Sequence, residues 1–327
     1  MPQRPPNRPS GPARTRSASQ SPTGQRPLTK KQRRRQARPG SVTTRQPWWQ
    51  SPYALGGGSA VVVALIAIFA VITFGSSGAG YAVSTPTAAP ASVIKAVTEP
   101  SASLLSTVGE GGQTGELIRV GGTKTLKNSA GLPEVVYVGA EYCPFCAAER
   151  WSLIMALSRF GSFTNLKEMS SDSTDVYPDT STFTFIDSSY SSGYLDFSST
   201  ETEDRSGNTL QTPSSQVQQL YSTYDQSPYV NATDGAEPIP FLDIAGRYIL
   251  FQSGYSPQVL QGLTWQQIAS DLGKASSPVT QAIVGNANWL TAAICLADGN
   301  QPASVCGSST IQTIASSLGA QATIGSY

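Results

Sequence analysis

Two thiols at C-x-x-C spacing, Cys143 and Cys146, are the residues of this chain best suited to chemistry. Only Pro144 and Phe145 separate them, so one turn of helix would bring the two sulfurs within reach of each other. In such a pair, one sulfur attacks an external disulfide and the other resolves the resulting mixed disulfide. The spacing therefore predicts a dithiol redox site.

The sequence contains no histidine in 327 residues. Nucleophilic catalysis that depends on a histidine base is therefore excluded, and so are zinc or copper sites with histidine ligands. The chemistry of this chain must rely on sulfur.

A C-x-x-C pair has two other interpretations, which are half of a zinc site and a structural disulfide. A four-cysteine zinc or iron–sulfur site would need Cys295 and Cys306, which lie far along the chain with ten residues between them. A structural disulfide would close too short a loop to constrain the unfolded chain much. We expect neither a metal nor another cofactor.

The residues around the pair predict how it is positioned. The apolar run from Glu134 to Ala140 indicates a strand inside a sheet, and residues 143–160 carry a helical pattern with one apolar face. Cys143 would then lie at a helix N-terminus, where free N–H groups and the helix dipole stabilise a thiolate. We predict Cys143 as the nucleophile and Cys146 as the more buried resolving thiol.

Two charges flank this motif. Glu141 would oppose thiolate formation at Cys143, whereas Arg150, seven residues later, would favour it. The alternative is that both are solvated charges near the helix end. The sequence alone does not rank these effects.

A second cluster of elements lies downstream. Residues 239–244 and 248–251 predict two strands joined by a tight turn, and residues 263–272 predict a helix. With the C-x-x-C helix upstream, this order resembles a thioredoxin-fold protein. The resemblance implies an α/β fold with a mixed sheet flanked by helices. It also implies that Pro240 is cis and faces the cysteines, and that Ile239 offers backbone groups to an extended substrate; an ordinary edge-strand proline is the alternative.

The run from Tyr137 to Trp151, YVGAEYCPFCAAERW, resembles more closely an uncharacterised family of membrane-anchored bacterial and archaeal proteins, a domain of unknown function. The likeness extends over most of residues 103–310. Related dithiol oxidants of the thioredoxin fold often carry histidine between the cysteines, where this chain has Phe145. The resemblance therefore implies a less stabilised thiolate and weaker oxidising power.

The charge of the chain is divided unevenly. Residues 1–53 hold twelve Lys and Arg and no acid, whereas the remainder holds ten basic and 21 acidic residues. Residues 54–74 carry no charge and are long enough to cross a bilayer as a helix. We interpret this segment as a retained signal anchor rather than a cleaved signal peptide, with the basic side in the cytoplasm and the C-terminal domain outside.

This division predicts four regions. Residues 1–53 form a disordered basic tail, whose charge suits anionic lipid better than nucleic acid. Residues 54–74 span the membrane, and residues 75–102 form a flexible stalk. Residues 103–327 form the extracytoplasmic domain, with an insertion at about 162–237 that contributes strands at 183–187 and 194–198 and a helix at 217–224.

Cys295 and Cys306 allow two interpretations. They form a structural disulfide that clips the predicted helix 280–296 to the segment after it, or they relay electrons between the C-x-x-C pair and a membrane redox partner.

Together these features predict a single-pass membrane protein whose outer domain exchanges disulfides with exported cysteine-containing proteins. The alternatives are a non-catalytic envelope protein that uses the fold as a binding platform, and a sensor whose basic tail carries the function. The direction of exchange and the oligomeric state are not encoded in any recognisable motif.

Overall fold

A computed structural model describes residues 82–122, 124–230 and 238–324. The predicted tail, 1–53, and the predicted membrane anchor, 54–74, lie outside these residues. Within the described ranges, none of the helices combines the length and the apolar character that a membrane crossing requires.

The described residues form a mixed α/β structure of ten strands and eight α-helices. The strands are β1 (Thr87–Ala88), β2 (Ile118–Arg119), β3 (Glu134–Gly139), β4 (Gly161–Thr164), β5 (Lys167–Ser170), β6 (Ser181–Thr184), β7 (Ser189–Ser192), β8 (Asp196–Glu201), β9 (Phe241–Ile244) and β10 (Tyr248–Phe251). The helices are α1 (Ala91–Thr98), α2 (Ala102–Val108), α3 (Pro144–Leu157), α4 (Ser215–Tyr224), α5 (Trp265–Asp271), α6 (Pro278–Asp298), α7 (Ala303–Cys306) and α8 (Ser309–Ala320). A 3₁₀ turn covers Pro257–Leu260.

The central sheet has five strands in the order β2-β10-β9-β3-β8. Strands β3 and β8 are parallel, with Gly139 opposite Glu201 at their C-terminal ends, and the other pairs are antiparallel. Strand β3 is buried on both faces, which explains its continuous apolar run. Two smaller antiparallel sheets, β1-β5-β6 and β4-β7, complete the strand set of the described residues.

The hairpin of β9 and β10 turns at Ala245 and Gly246, both with positive φ. The Asp243 carboxylate accepts a hydrogen bond from the Gly246 N–H and so closes the turn. Asp243 is fully buried, and this burial raises the pKa of its carboxyl group to about 7. Its second oxygen, Oδ2, has no hydrogen-bond partner among the described residues.

Helix α3 is buried on every side. It packs against the long helix α6, where the Ser152 hydroxyl donates to the Ile283 carbonyl at 2.9 Å. It also contacts β6, where Trp151 Nε1 donates to the Ser181 carbonyl at 2.9 Å. The sequence predicted one apolar face on this helix, but the whole helix is buried because both α6 and β6 pack against it.

The ordered domain begins before residue 103. Residues 82–102, expected to be part of the flexible stalk, form strand β1 and helix α1 instead. Val93 and Val97 on α1 are completely buried, and β1 pairs with β5. This corrects the predicted stalk boundary, since two valines with helical spacing are enough to dock a short helix onto the core.

The other predicted elements are present with shifted ends. The predicted strands at 183–187 and 194–198 correspond to β6 and β8, and the predicted helices at 217–224, 263–272 and 280–296 correspond to α4, α5 and α6. The region 162–237 contains β4 to β8 and α4 in its described part, so it supplies β8 to the central sheet.

Candidate functional site

Cys143 occupies the N-cap of helix α3, directly after the loop that leaves β3. Its backbone is extended, with φ −75° and ψ 122°, and Pro144 fills the first helical position. The Cys146 N–H donates a hydrogen bond to Cys143 Sγ at 3.2 Å. The free N–H groups of the first helical turn thus point at this sulfur, as the sequence predicts.

Both cysteines of the motif are free thiols, and both are buried. Cys143 exposes 5% of its surface and Cys146 exposes none. Cys143 is therefore the more accessible of the two cysteines, and Cys146 lies deeper in the protein.

The two sulfurs differ in acidity. Burial raises the pKa of Cys143, but hydrogen bonds from Cys146 and the positive charge of Arg150 outweigh it, so the pKa lies below the ordinary value. Burial and the neighbouring Cys143 sulfur raise the pKa of Cys146 well above its ordinary value, against the effect of Arg150. Cys143 is thus the more acidic of the two thiols.

Arg150 is completely buried and is not a solvated helix-end charge. Its Nε donates to Glu201 Oε1 at 3.0 Å, and its Nη2 donates to Glu201 Oε2 at 2.6 Å and to the Ala140 carbonyl at 2.8 Å. The two-point ion pair ties α3 to the end of β8. The positive charge of Arg150 also acts to lower the pKa of Cys143.

Tyr137 lies on the buried side of the site. Its ring is in edge contact with Phe185, with centroids 5.2 Å apart, and the guanidinium carbon of Arg150 lies 5.8 Å from the ring centre. Its hydroxyl oxygen lies so close to Gly139 that a Cβ there would be 2.2 Å away. Gly139 is therefore required for the phenol to extend along β3 towards the cysteine loop.

Ile239 and Pro240 lead into β9 on the other side of Cys143. The Ile239–Pro240 peptide bond is cis, as the resemblance to thioredoxin-fold proteins implies. Cys143 Sγ lies 3.8 Å from the Ile239 carbonyl oxygen. The structure therefore brings Ile239 to the sulfur, and Pro240 follows it in the chain as a buried residue.

Three partly buried apolar residues border the cysteine pair. Tyr142, Phe145 and Ile239 pack against the cysteine pair while remaining partly accessible. The ring of Tyr177 is in edge contact with Phe145, with centroids 5.9 Å apart. The Asp172 N–H donates to the Tyr142 carbonyl at 2.9 Å, which fixes this loop to the motif.

Glu141, next to the motif, is also buried. Burial raises the pKa of its carboxyl group, which favours the neutral form. Its backbone N–H donates to the Glu203 carbonyl at 2.8 Å, which holds the loop against the segment after β8.

Glu149 is a second buried carboxyl group on α3. Its Oε2 accepts hydrogen bonds from the Gly254 N–H and from Asn286 Nδ2, both at 2.9 Å. Burial raises the pKa of this group to about 8 despite these donors. Glu149 thus joins α3 to α6 and remains largely protonated at neutral pH.

Cys295 and Cys306 form a disulfide that joins the end of α6 to α7. Both half-cystines are buried in the same apolar cluster as Leu318 of α8. With both sulfurs paired to each other, neither is free to complete a metal site with the C-x-x-C pair. Among the described residues, no three acidic or cysteine side chains are grouped to hold a metal ion.

Replacing Cys295 and Cys306 together by alanine tests the structural interpretation. We expect the free energy of unfolding to fall by roughly 2 to 3 kcal/mol, because a short closed loop is released in the unfolded chain. Thiol exchange at Cys143 should be unchanged. Urea unfolding and an exchange assay measure the two effects, and loss of exchange in a folded variant would support the relay.

Three residues of this site were not identified as site residues from the sequence, namely Tyr137, Gly139 and Glu201. Tyr137 and Gly139 lie within an apolar strand, where they read as core residues. Glu201 lies in an acidic, Ser- and Thr-rich stretch that suggests a solvated surface. The available signal was the i, i+4 spacing of Cys146 and Arg150, which places a cation one turn behind the second thiol.

Comparison with known proteins gives one family. A family model described as a domain of unknown function (DUF929) matches residues 123–296. Neither the curated proteins nor the solved structures gave a match. The matched range includes the C-x-x-C helix, the hairpin of β9 and β10, and most of α6. Because it covers more than half of the sequence, the chain belongs to the DUF929 family.

Proposed function

We propose that this chain is a thiol–disulfide oxidoreductase with a thioredoxin-like domain. The observation that carries this proposal is the geometry at Cys143. Its sulfur lies at a helix N-terminus, accepts a hydrogen bond from the Cys146 N–H at 3.2 Å and lies 3.8 Å from the Ile239 carbonyl. A low-pKa thiolate with a second thiol one turn away is the arrangement that disulfide exchange requires.

The reaction proceeds in two balanced steps. The Cys143 thiolate attacks one sulfur of a substrate disulfide, forms a mixed disulfide and releases the other substrate sulfur as a thiolate. Cys146 then loses its proton and attacks Cys143 Sγ, which releases the second substrate sulfur. The substrate gains two electrons, the cysteine pair loses two, and the reverse sequence oxidises a substrate dithiol.

The thioredoxin-like part of this proposal is supported by the arrangement of the elements. A parallel pair, β3 and β8, is extended by the antiparallel β9 and β10, and the C-x-x-C helix follows β3. A cis proline precedes the hairpin strand beside the cysteines.

We further propose that the domain acts outside the cytoplasm on exported cysteine-containing proteins, tethered by residues 54–74. The uncharged segment between a basic and an acidic region supports this placement. A disulfide between Cys295 and Cys306 is also what an oxidising compartment permits.

Cys146→Ser tests the enzyme directly, because it removes the resolving sulfur and leaves Cys143. We expect the full-length variant to accumulate mixed disulfides with exported proteins when it is expressed in cells. Acid added to the cells protonates the free thiols and stops further exchange before analysis. Non-reducing gels with mass spectrometry identify them. The control is Cys143→Ser/Cys146→Ser, which should trap none. If the single variant traps nothing while its Cys143 is alkylated normally, a non-catalytic binding platform is favoured.

A further inference from the structure

Two buried hydrogen-bond donors on the elements that flank the cysteine loop have no acceptor in the described part of the chain. They are the hydroxyl of Tyr137 and Nη1 of Arg150, and neither has a hydrogen-bond partner among the described residues. Both side chains are completely buried. A buried donor without a partner is costly and rare in folded proteins, so these two require an explanation.

Both donors belong to the elements that flank the cysteine loop, Tyr137 to β3 and Arg150 to α3. The phenol of Tyr137 extends along β3 past Gly139, towards the end of the strand from which the cysteine loop departs. Arg150 follows Cys146 by four residues, so it lies one helical turn further on the same face of α3. Its remaining nitrogens are held by Glu201 and by the Ala140 carbonyl, which leaves Nη1 free to serve another acceptor.

The proposed reaction creates an acceptor that the resting protein lacks. If the proposed function holds, Cys146 must become a thiolate in a fully buried position before it attacks the mixed disulfide. Its proton leaves to solvent or to the departing substrate thiolate. A buried thiolate needs hydrogen bonds and a positive charge that water supplies elsewhere.

We propose that Tyr137 and Arg150 are positioning residues that supply this stabilisation, by donating hydrogen bonds to the Cys146 sulfur as it ionises during the resolving step. The electrostatics agree with this assignment. Arg150 lowers the pKa of Cys146 against the larger effect of burial, and the cysteine sulfurs in turn raise the pKa of the Tyr137 hydroxyl. Glu201 also faces this region, but its charge is paired with Arg150.

Ellman's reagent separates the two sulfurs in one experiment. Attack by Cys143 releases one nitrothiobenzoate and leaves a mixed disulfide, and attack by Cys146 on Cys143 Sγ then releases a second. With full-length protein in detergent, stopped-flow absorbance should show two phases. In Tyr137→Phe, which removes only the hydroxyl, we expect the second phase to slow about tenfold, the loss of one hydrogen bond to a charged sulfur. The first phase should change less than about twofold, because the Cys143 sulfur accepts its hydrogen bond from the Cys146 N–H and not from Tyr137.

A pH profile adds a readout that a merely structural role would not move. The second phase of Tyr137→Phe should reach half its maximum about one pH unit above that of the wild-type protein, which corresponds to the same tenfold change. The matched control is Tyr255→Phe. It removes another buried hydroxyl, which donates to the Ala148 carbonyl at 2.6 Å, and should leave both phases unchanged.

Arg150→Lys gives the same test if Tyr137→Phe fails to fold. Lysine keeps the positive charge but lacks the planar guanidinium group and its five N–H donors. The second phase should therefore slow more than the first. A second phase that is unaltered relative to the Tyr255→Phe control in rate and pH profile overturns the proposal, while disulfide exchange itself stands. A wild-type protein that shows no second phase refutes the proposed function instead.

Discussion

Cys143→Ser is expected to lower the rate of reaction with a peptide disulfide at least about a thousandfold at neutral pH. The variant keeps Cys146, but this thiol has no exposed surface and a pKa raised well above its ordinary value. A protonated, buried thiol is a poor nucleophile, because attack requires both the thiolate and access to the disulfide. Release of the peptide thiol, measured by mass spectrometry, checks the prediction.

The pH dependence of the same reaction gives a second measurement. Because the pKa of Cys143 lies below its ordinary value of 9.0, the wild-type rate should level off at a lower pH than that of a free cysteine. Cys146→Ser serves as the control, since it should keep this profile but stop at the mixed disulfide. A Cys143→Ser variant that still reacts at the wild-type rate would place the nucleophile elsewhere.

Arg150→Met should destabilise the domain by about 3 to 5 kcal/mol, because it leaves Glu201 as a buried, uncompensated charge. Glu201 is completely buried at the end of β8, and each of its two carboxylate oxygens accepts a hydrogen bond from Arg150. The same change removes a positive charge that lowers the pKa of Cys143, so this pKa should rise. Urea unfolding and the pH profile of Cys143 alkylation measure the two effects.

Arg150→Met/Glu201→Leu separates these effects. With both charges removed, much of the lost stability should return, because no buried charge is left without a partner. The pKa of Cys143 should remain raised in the double variant. Equal destabilisation of the single and double variants would mean that packing, rather than the ion pair, sets the cost.

The main features of the fold could be predicted from the sequence where the hydrophobic pattern was strong. The apolar run from Glu134 and the hairpin turn at Ala245 and Gly246 led to strands β3, β9 and β10, because each has few competing interpretations. The location of Cys143 at a helix N-terminus followed from the same pattern. Pairing of β8 beside β3 could not be foreseen, since it joins segments that lie about sixty residues apart.

The buried charges were the main failure of pattern reasoning. Glu149 and Arg150 within a helix normally indicate a solvated face, but α3 is enclosed by the sheet layers and by α6. Their partners, Asn286 and Glu201, are distant in the sequence. A local pattern cannot reveal such a partner, and without it a buried charge reads as an exposed one.

The early start of the domain has a similar cause. Residues 82–102 are rich in small and polar residues, which suggested a linker, but Val93 and Val97 form a narrow apolar stripe on α1. Two residues give too weak a signal for a helix in isolation. Docking against the core supplies the stabilisation that the segment lacks by itself.

Glu149 should make the folded domain more stable at acidic pH, although the chain contains no histidine. A carboxyl group whose pKa is about 8 in the folded state and near 4.5 in an unfolded chain binds its proton more tightly when folded. Folding is therefore most favourable below about pH 4.5 for this group, and its contribution declines as the pH rises towards 8. Asp243, at about 7, acts in the same direction over a narrower interval. A rise in pH from about 4.5 to about 8 should therefore destabilise the domain, because both buried carboxyl groups must lose their protons in an apolar interior.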